Sequence, residues 1–140
     1  MTAKRYQPGD HLTPLTKPPV TKIQLVKYSG ASGDFNPIHT VEEFAKEAGL
    51  GGVIAHGMLT MGFVAQMLTD EIGEEGDLLS FGVRFVDMVR PGDIITCDGV
   101  VQEVKEEEGY QVVTCDVWAQ KSPGDVRVVQ GTATFRKPLA

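Results

Sequence analysis

Cysteine is scarce in this chain, and the two present, Cys97 and Cys115, lack the close spacing that metal sites use. Both sit in strand-like sequence, so we read them as small buried hydrophobes and not as a disulfide or a nucleophile. No stretch reaches the roughly 18 apolar residues of a membrane span. The opening stretch from Met1 to Pro8 has no apolar core of the kind a signal peptide carries, so a cytoplasmic protein is expected. Basic residues number 13 against 19 acidic ones and never cluster. The resulting formal net charge of -6 repels phosphate backbones and speaks against a nucleic-acid partner. A Gly-x-Ser-x-Gly elbow, a phosphate-binding glycine loop and a dinucleotide fingerprint are all missing. Internal repeats, low-complexity tracts and linkers are missing too.

What remains is 140 residues with a 41% hydrophobic fraction, enough for one domain with a real core and too little for two, so residues 1–140 are read as a single domain. Pro8, Pro14, Pro18 and Pro19 make the early segment an extended edge strand or loop. Thr21-Lys22-Ile23-Gln24 has the form of a capping box and predicts a helix to about Ser29 or Ala31, with Gly30 and Gly33 bracketing its end. Thr40-Val41-Glu42-Glu43 reads as a second box, opening a short helix that stops at Gly49. From Met58 to about Thr69 apolar residues surround most of a helical cylinder, which predicts a helix buried on nearly all sides. Beyond Leu78 the period changes to that of strands, over 78–89, 94–105, 110–120 and 126–136, with turns at Pro91-Gly92-Asp93, Glu108-Gly109 and Ser122 to Asp125. Four antiparallel strands in succession predict a meander. Val113, Cys115, Val117 and Ala119 give it one buried face, whose natural partner is the apolar helix.

Chemistry concentrates in Gly33-Asp34-Phe35-Asn36-Pro37-Ile38-His39 and in Ala55-His56-Gly57-Met58 at the head of that helix. Pro37 stops a regular helix from running through the first run, so Asp34 and His39 can face one cleft. Histidine is the side chain best matched to proton transfer near neutral pH, and a carboxylate beside it can hold or exchange a second proton. Gly57 opens a helix, where unpaired amides and the helix dipole favour a developing negative charge. His56 is read as structural, fixing the flexible connector Gly51-Gly52-Val53-Ile54-Ala55 through a backbone hydrogen bond. His11 is read as solvated, and Tyr110, Trp118 and Phe135 as core or interface. Asp34, His39 and His56 have the residue types of a metal site, but the reading adopted is metal-free.

The segments Tyr28 to His39 and Ile54 to Gly62, with a sheet wrapped around one helix, resemble the MaoC-like dehydratases, also called (R)-specific enoyl-CoA hydratases, and especially the catalytic subunits of bacterial (3R)-hydroxyacyl-ACP dehydratases. The resemblance implies an α+β single hot-dog fold, in which an antiparallel sheet wraps a buried central helix. It implies that Asp34 and His39 are the catalytic pair, that Asn36 orients the loop at the substrate, and that the Gly57 amide holds the thioester oxygen. The implied reaction is reversible hydration of trans-2-enoyl thioesters on CoA or acyl-carrier protein in fatty-acid or related acyl metabolism, with no cofactor. A hot-dog thioesterase and a non-catalytic subunit of a heterodimeric dehydratase are the alternatives. A single hot-dog unit implies a homodimer or higher homo-oligomer, or a heterodimer. Arg84 and Arg90 are candidate phosphate contacts, and the short Asp70 to Asp77 segment leaves no long insertion to cover the site.

Overall fold

Local signals account for the helices. The computed structural model describes residues 4–139; Met1 to Ala3, the start of the stretch read for a signal peptide, and Ala140 lie outside the described residues. The elements are β1 (Leu15–Thr16), α1 (Lys22–Ser32), a 3-10 turn (Pro37–His39), α2 (Glu42–Glu47), α3 (Gly57–Ile72), β2 (Asp77–Phe85), β3 (Ile94–Glu107), β4 (Tyr110–Ser122) and β5 (Val126–Pro138). Thr21 caps α1 with both halves of the expected box formed, and the helix runs on through Gly30 to Ser32 before Gly33, at φ 76°, turns the chain out. The second box does not form. Thr40 instead closes the 3-10 turn, its N–H donating to the Pro37 carbonyl at 3.2 Å, and α2 begins at Glu42 behind Val41. The Glu42 carboxylate is used elsewhere, accepting from Val53 N–H at 3.2 Å and pairing with Lys22 at 2.8 Å.

Sheet order is β1-β3-β4-β5-β2, antiparallel throughout, curved around α3 in the hot-dog arrangement. The last three strands form the expected meander. β2 departs from it: it pairs with β5 and not with β3, in a register that sets Val83 opposite Gly131. The reason lies in residues 86–93, which close no hairpin. Val89 is buried, its carbonyl accepts from Ala55 N–H at 2.7 Å, and Gly92 N–H bonds Val20 at 2.7 Å, so the segment crosses from one sheet edge to the other. Gly131 permits the β2 contact, because a β-carbon there would collide with the Gly82 carbonyl.

α3 buries Thr60, Phe63, Val64, Met67, Leu68 and Ile72 against the inner sheet face, where Ile95, Val113, Cys115, Ala119 and Phe135 are fully buried. Each large apolar side chain so placed stabilises the fold by ~1.5–3 kcal/mol. Burial pushes the Cys97 and Cys115 thiols up to about 12, as suits packing groups. The helix is not enclosed on all sides, for Met58 is 56% exposed on the flank away from the sheet.

The proline-rich segment straps the outer edge of β3 through Gly9 N–H to Val101, Leu12 N–H to Gly99 and Lys17 N–H to Ile95. It is tied to the end of α3 by the Glu71 carboxylate, which accepts from the Tyr6 hydroxyl at 2.7 Å, Thr13 N–H at 3.0 Å and the Lys4 ammonium at 3.0 Å. Gln111, buried on the inner face, completes the tie by accepting from Tyr6 N–H and donating to the Lys4 carbonyl.

Candidate active site

Asp34 leaves α1 directly after the Gly33 cap, and two consecutive Asx turns then shape the loop. Asp34 Oδ1 accepts from Asn36 N–H and Asn36 Oδ1 from Ile38 N–H, each at 3.2 Å. Pro37 opens the 3-10 turn that follows and delivers His39 inward, where its side chain is 9% exposed. Its Nδ1 lies 2.7 Å from the Ile54 carbonyl, which can only accept, so Nδ1 carries the proton. In the neutral ring Nε2 is therefore a free base, and it faces Asp34 Oδ2 at 3.9 Å. Asp34 itself is half exposed. The structure thus brings together the two residues singled out from the sequence, one buried and one at the surface.

His56 precedes α3 and stacks on His39, with ring centroids 3.8 Å apart and planes 22° from parallel. Its Nε2–H is shared between Ser29 Oγ at 3.1 Å and the Asp34 carbonyl at 3.3 Å. The expected backbone bond exists, then, but it holds the Asp34 loop; the connector is held by His39. Burial, reinforced by the neighbouring His39, pushes the His56 imidazole below the ordinary histidine range, which keeps it neutral. Its Nδ1 is buried without a hydrogen-bond partner, which a neutral acceptor tolerates better than a charged ring. Tyr28 closes the far side, its ring 4.8 Å from that of His56.

Asp34, His39 and His56 each offer a ligand atom within 4.8 Å of the others. Two stacked imidazoles direct their in-plane lone pairs side by side, not toward a common point, and His56 Nε2 is already committed as a donor. The arrangement suits proton transfer better than chelation.

Gly57 is the first residue of α3, one position from the stacked imidazoles. The Phe85 ring lies over it, so that a β-carbon at Gly57 would come within 3.1 Å of two ring atoms. Beside it a pocket of about 260 Å³ runs between the head of α3 and β2, lined by Ile54, Ala55, Thr60, Phe85, Val89 and Val129. Sequence reasoning missed Phe85 and Ser29, because neither carries a local motif and both act through contacts made far along the chain. Arg90, a candidate phosphate contact, is partly buried and donates to the Gly52 carbonyl at 3.3 Å, bracing the connector. Arg84 points elsewhere, onto the outer sheet face. No helix among the described residues is long and apolar enough to cross a membrane.

Residues 4–135 match the protein family described as MaoC like domain. The chain is 31% identical over 128 residues to a 3-hydroxybutyryl-CoA dehydratase of Methylorubrum extorquens, covering 91% of this chain and 79% of that one. It is 30% identical over 122 residues to an (R)-specific enoyl-CoA hydratase of Rhodospirillum rubrum, covering 85% and 81%. It also matches much larger proteins: with fatty acid synthase subunit beta of Aspergillus oryzae it is 40% identical over 109 residues, 76% of this chain but 5% of that protein's length. In fold it is similar to the (R)-hydratase from A. caviae involved in PHA biosynthesis, with a TM-score of 0.85 at 24% identity over 97% of this chain and 100% of the other.

Proposed function

The chain belongs to the MaoC-like domain family, and from that membership we propose that it adds water reversibly to trans-2-enoyl thioesters, giving (3R)-hydroxyacyl thioesters. One observation carries the reading: Nε2 of a buried, tautomer-locked His39 faces Asp34 Oδ2 at 3.9 Å. Neither atom has a proton to give the other. A water oxygen about 2.8 Å from both would see them at about 90°, close to the angle between its own two hydrogens, so one water can donate to each. Its lone pairs are then left to attack the β-carbon.

As the oxygen attacks, His39 takes one water proton and the alkene electrons move onto the thioester oxygen. The Gly57 N–H, unpaired at the start of α3, is the donor for that oxygen. The resulting enolate collapses and is protonated at the α-carbon by the Asp34 and His39 pair. The proton taken from water is the one returned to carbon; the other stays on the new hydroxyl. Asn36 holds the loop so that Asp34 Oδ2 stays toward the imidazole. The apolar pocket beside Gly57 receives the acyl chain. A net charge of -6 offers no general attraction to acidic carrier proteins, which favours CoA as the carrier.

A second copy of the chain completes the assembly, covering the exposed Met58 flank of α3 and the free edge of β2. The decisive experiment is a spectrophotometric screen of trans-2-enoyl-CoA thioesters for loss of the conjugated absorbance, with chiral analysis of the product. We expect loss of absorbance and a (3R) alcohol. Release of free thiol without hydration would establish a thioesterase, and a predominantly (3S) product would overturn the proposed presentation of the alkene face.

A further inference from the structure

The sheet face turned away from α3 carries a groove of about 800 Å³ that Asp34, His39 and Gly57 do not line. One row of facing residues crosses it: Arg84 on β2 lies opposite Gln130 on β5, and Gln130 opposite Trp118 on β4. Neighbouring strands are ~4.8 Å apart, so Arg84 and Trp118 stand roughly 10 Å from each other, with Gln130 between them. The next row of β2 is Gly82, which has no side chain and leaves the floor open. Arg127 stacks its guanidinium on Trp118, 4.4 Å from the ring centroid.

The charges there are unusual for this chain. Arg5 and Arg136 pair with Glu106 and Asp77, and Arg90 bonds the Gly52 carbonyl. Among the described residues, Arg84 and Arg127 have no carboxylate within 4 Å, and these two face the same groove in a protein of net charge -6. The one acid that lines it, Asp116, is engaged by the Gln102 amide at 2.8 Å. Stacking on Trp118 holds Arg127 in place before any ligand arrives, which lowers the ordering cost of binding.

We propose that this groove binds a nucleotide-sized, phosphate-bearing ligand, with Arg84 and Arg127 gripping phosphoryl oxygens from two sides and Gln130 donating from the floor. A volume of about 800 Å³ exceeds what a lone phosphate needs and suits a nucleotide. Two sources share this chemistry: a free nucleotide, and the adenosine 3′,5′-bisphosphate end of a CoA thioester. The proposal does not depend on the reaction assigned to Asp34 and His39.

Trp118 is the only tryptophan of the chain, so intrinsic fluorescence reads the groove directly. Titration of the intact protein with adenosine 3′,5′-bisphosphate at low ionic strength should give a saturable change, with inorganic phosphate binding more weakly. By calorimetry, Arg84→Gln and Arg127→Gln should each weaken binding roughly tenfold, as expected for losing a charge-assisted contact. If Arg84→Gln raises KM for an enoyl-CoA more than for the matching enoyl-pantetheine, the ligand is the nucleotide end of the substrate. Nucleotide binding with no such difference identifies a separate ligand. The absence of saturable binding, or equal affinity in wild type and both variants, overturns the proposal.

Discussion

Replacing His39 by Gln or Asp34 by Asn should abolish most turnover while leaving the fold intact, and the structure sets the size of both effects. In the proposed mechanism both residues act on the same water, so each substitution should lower turnover by roughly 10²- to 10⁴-fold, about 2.7 to 5.4 kcal/mol of barrier. The stability cost is much smaller. Asp34 is 51% exposed and its carboxylate stands 3.9 Å from Nε2, at the limit of an ion pair, and exposed pairs contribute ~0–1 kcal/mol. His39 also loses its donation to Ile54, which the Gln amide can partly replace, so the cost there is about 0.5 to 1.5 kcal/mol. For a chain of this size that is a fall of roughly 2 to 5 °C in Tm, measurable by calorimetry. The double variant should be little slower than the poorer single one, because two groups sharing one water act as a unit. Independent contributions would instead multiply. Either a single variant within a few-fold of wild type, or a double variant whose loss equals the product of the two single losses, would refute the shared-water geometry.

Gly57→Ala places a β-carbon 3.1 Å from the Phe85 ring, so kcat should fall through a displaced thioester oxygen while the fold persists; unchanged kcat would remove Gly57 from the oxyanion role. Burial pushes the Glu71 carboxyl up, but the Thr13 amide, the Tyr6 hydroxyl and Lys4 together hold it below the usual range. The group therefore contributes stability above the ordinary glutamate pKa that is lost as pH falls through its lowered folded value, and Glu71→Gln should flatten the acid limb of a stability-versus-pH curve. Activity should survive exhaustive dialysis against a chelator; loss that zinc restores would point instead to metal on Asp34, His39 and His56. Light scattering at micromolar concentration should give at least twice the monomer mass, and an active monomer would refute the proposed pairing.

Legibility from sequence followed the range of the interactions. The Thr21 cap and the Asp34 to His39 loop depend on partners within a few residues, and both were readable. Thr40 carried an equally good local signal, yet the preceding Pro37 turn had already used its backbone. The place of β2 was hidden because a strand beside β5, some fifty residues away in sequence, leaves no periodic trace; only Gly131 marks the crossing. The exposed flank of α3 reads in sequence as buried, since Met58 is apolar whether it faces the sheet or solvent. His56 was assigned a backbone bond and makes one, but to the Asp34 carbonyl 22 residues away and not within the connector, sharing its proton with Ser29 Oγ 27 residues away.

The two edges of the sheet are not equivalent, and the difference sets where growth by strand addition ends. On one side Pro8, Pro14, Pro18 and Pro19 run through the strap over β3, and a proline nitrogen has no hydrogen to offer an incoming strand. On the other side β2 contains no proline and presents its outward backbone groups unpaired. In the proposed dimer, two copies joined antiparallel through β2 would consume both open edges in one step and leave proline at each end of a ten-stranded sheet. A third copy would then find no strand to extend, so in the proposed dimer the same edge that would make a monomer adhesive would make the assembly finite, with the prolines as terminators of what would otherwise be a fibre.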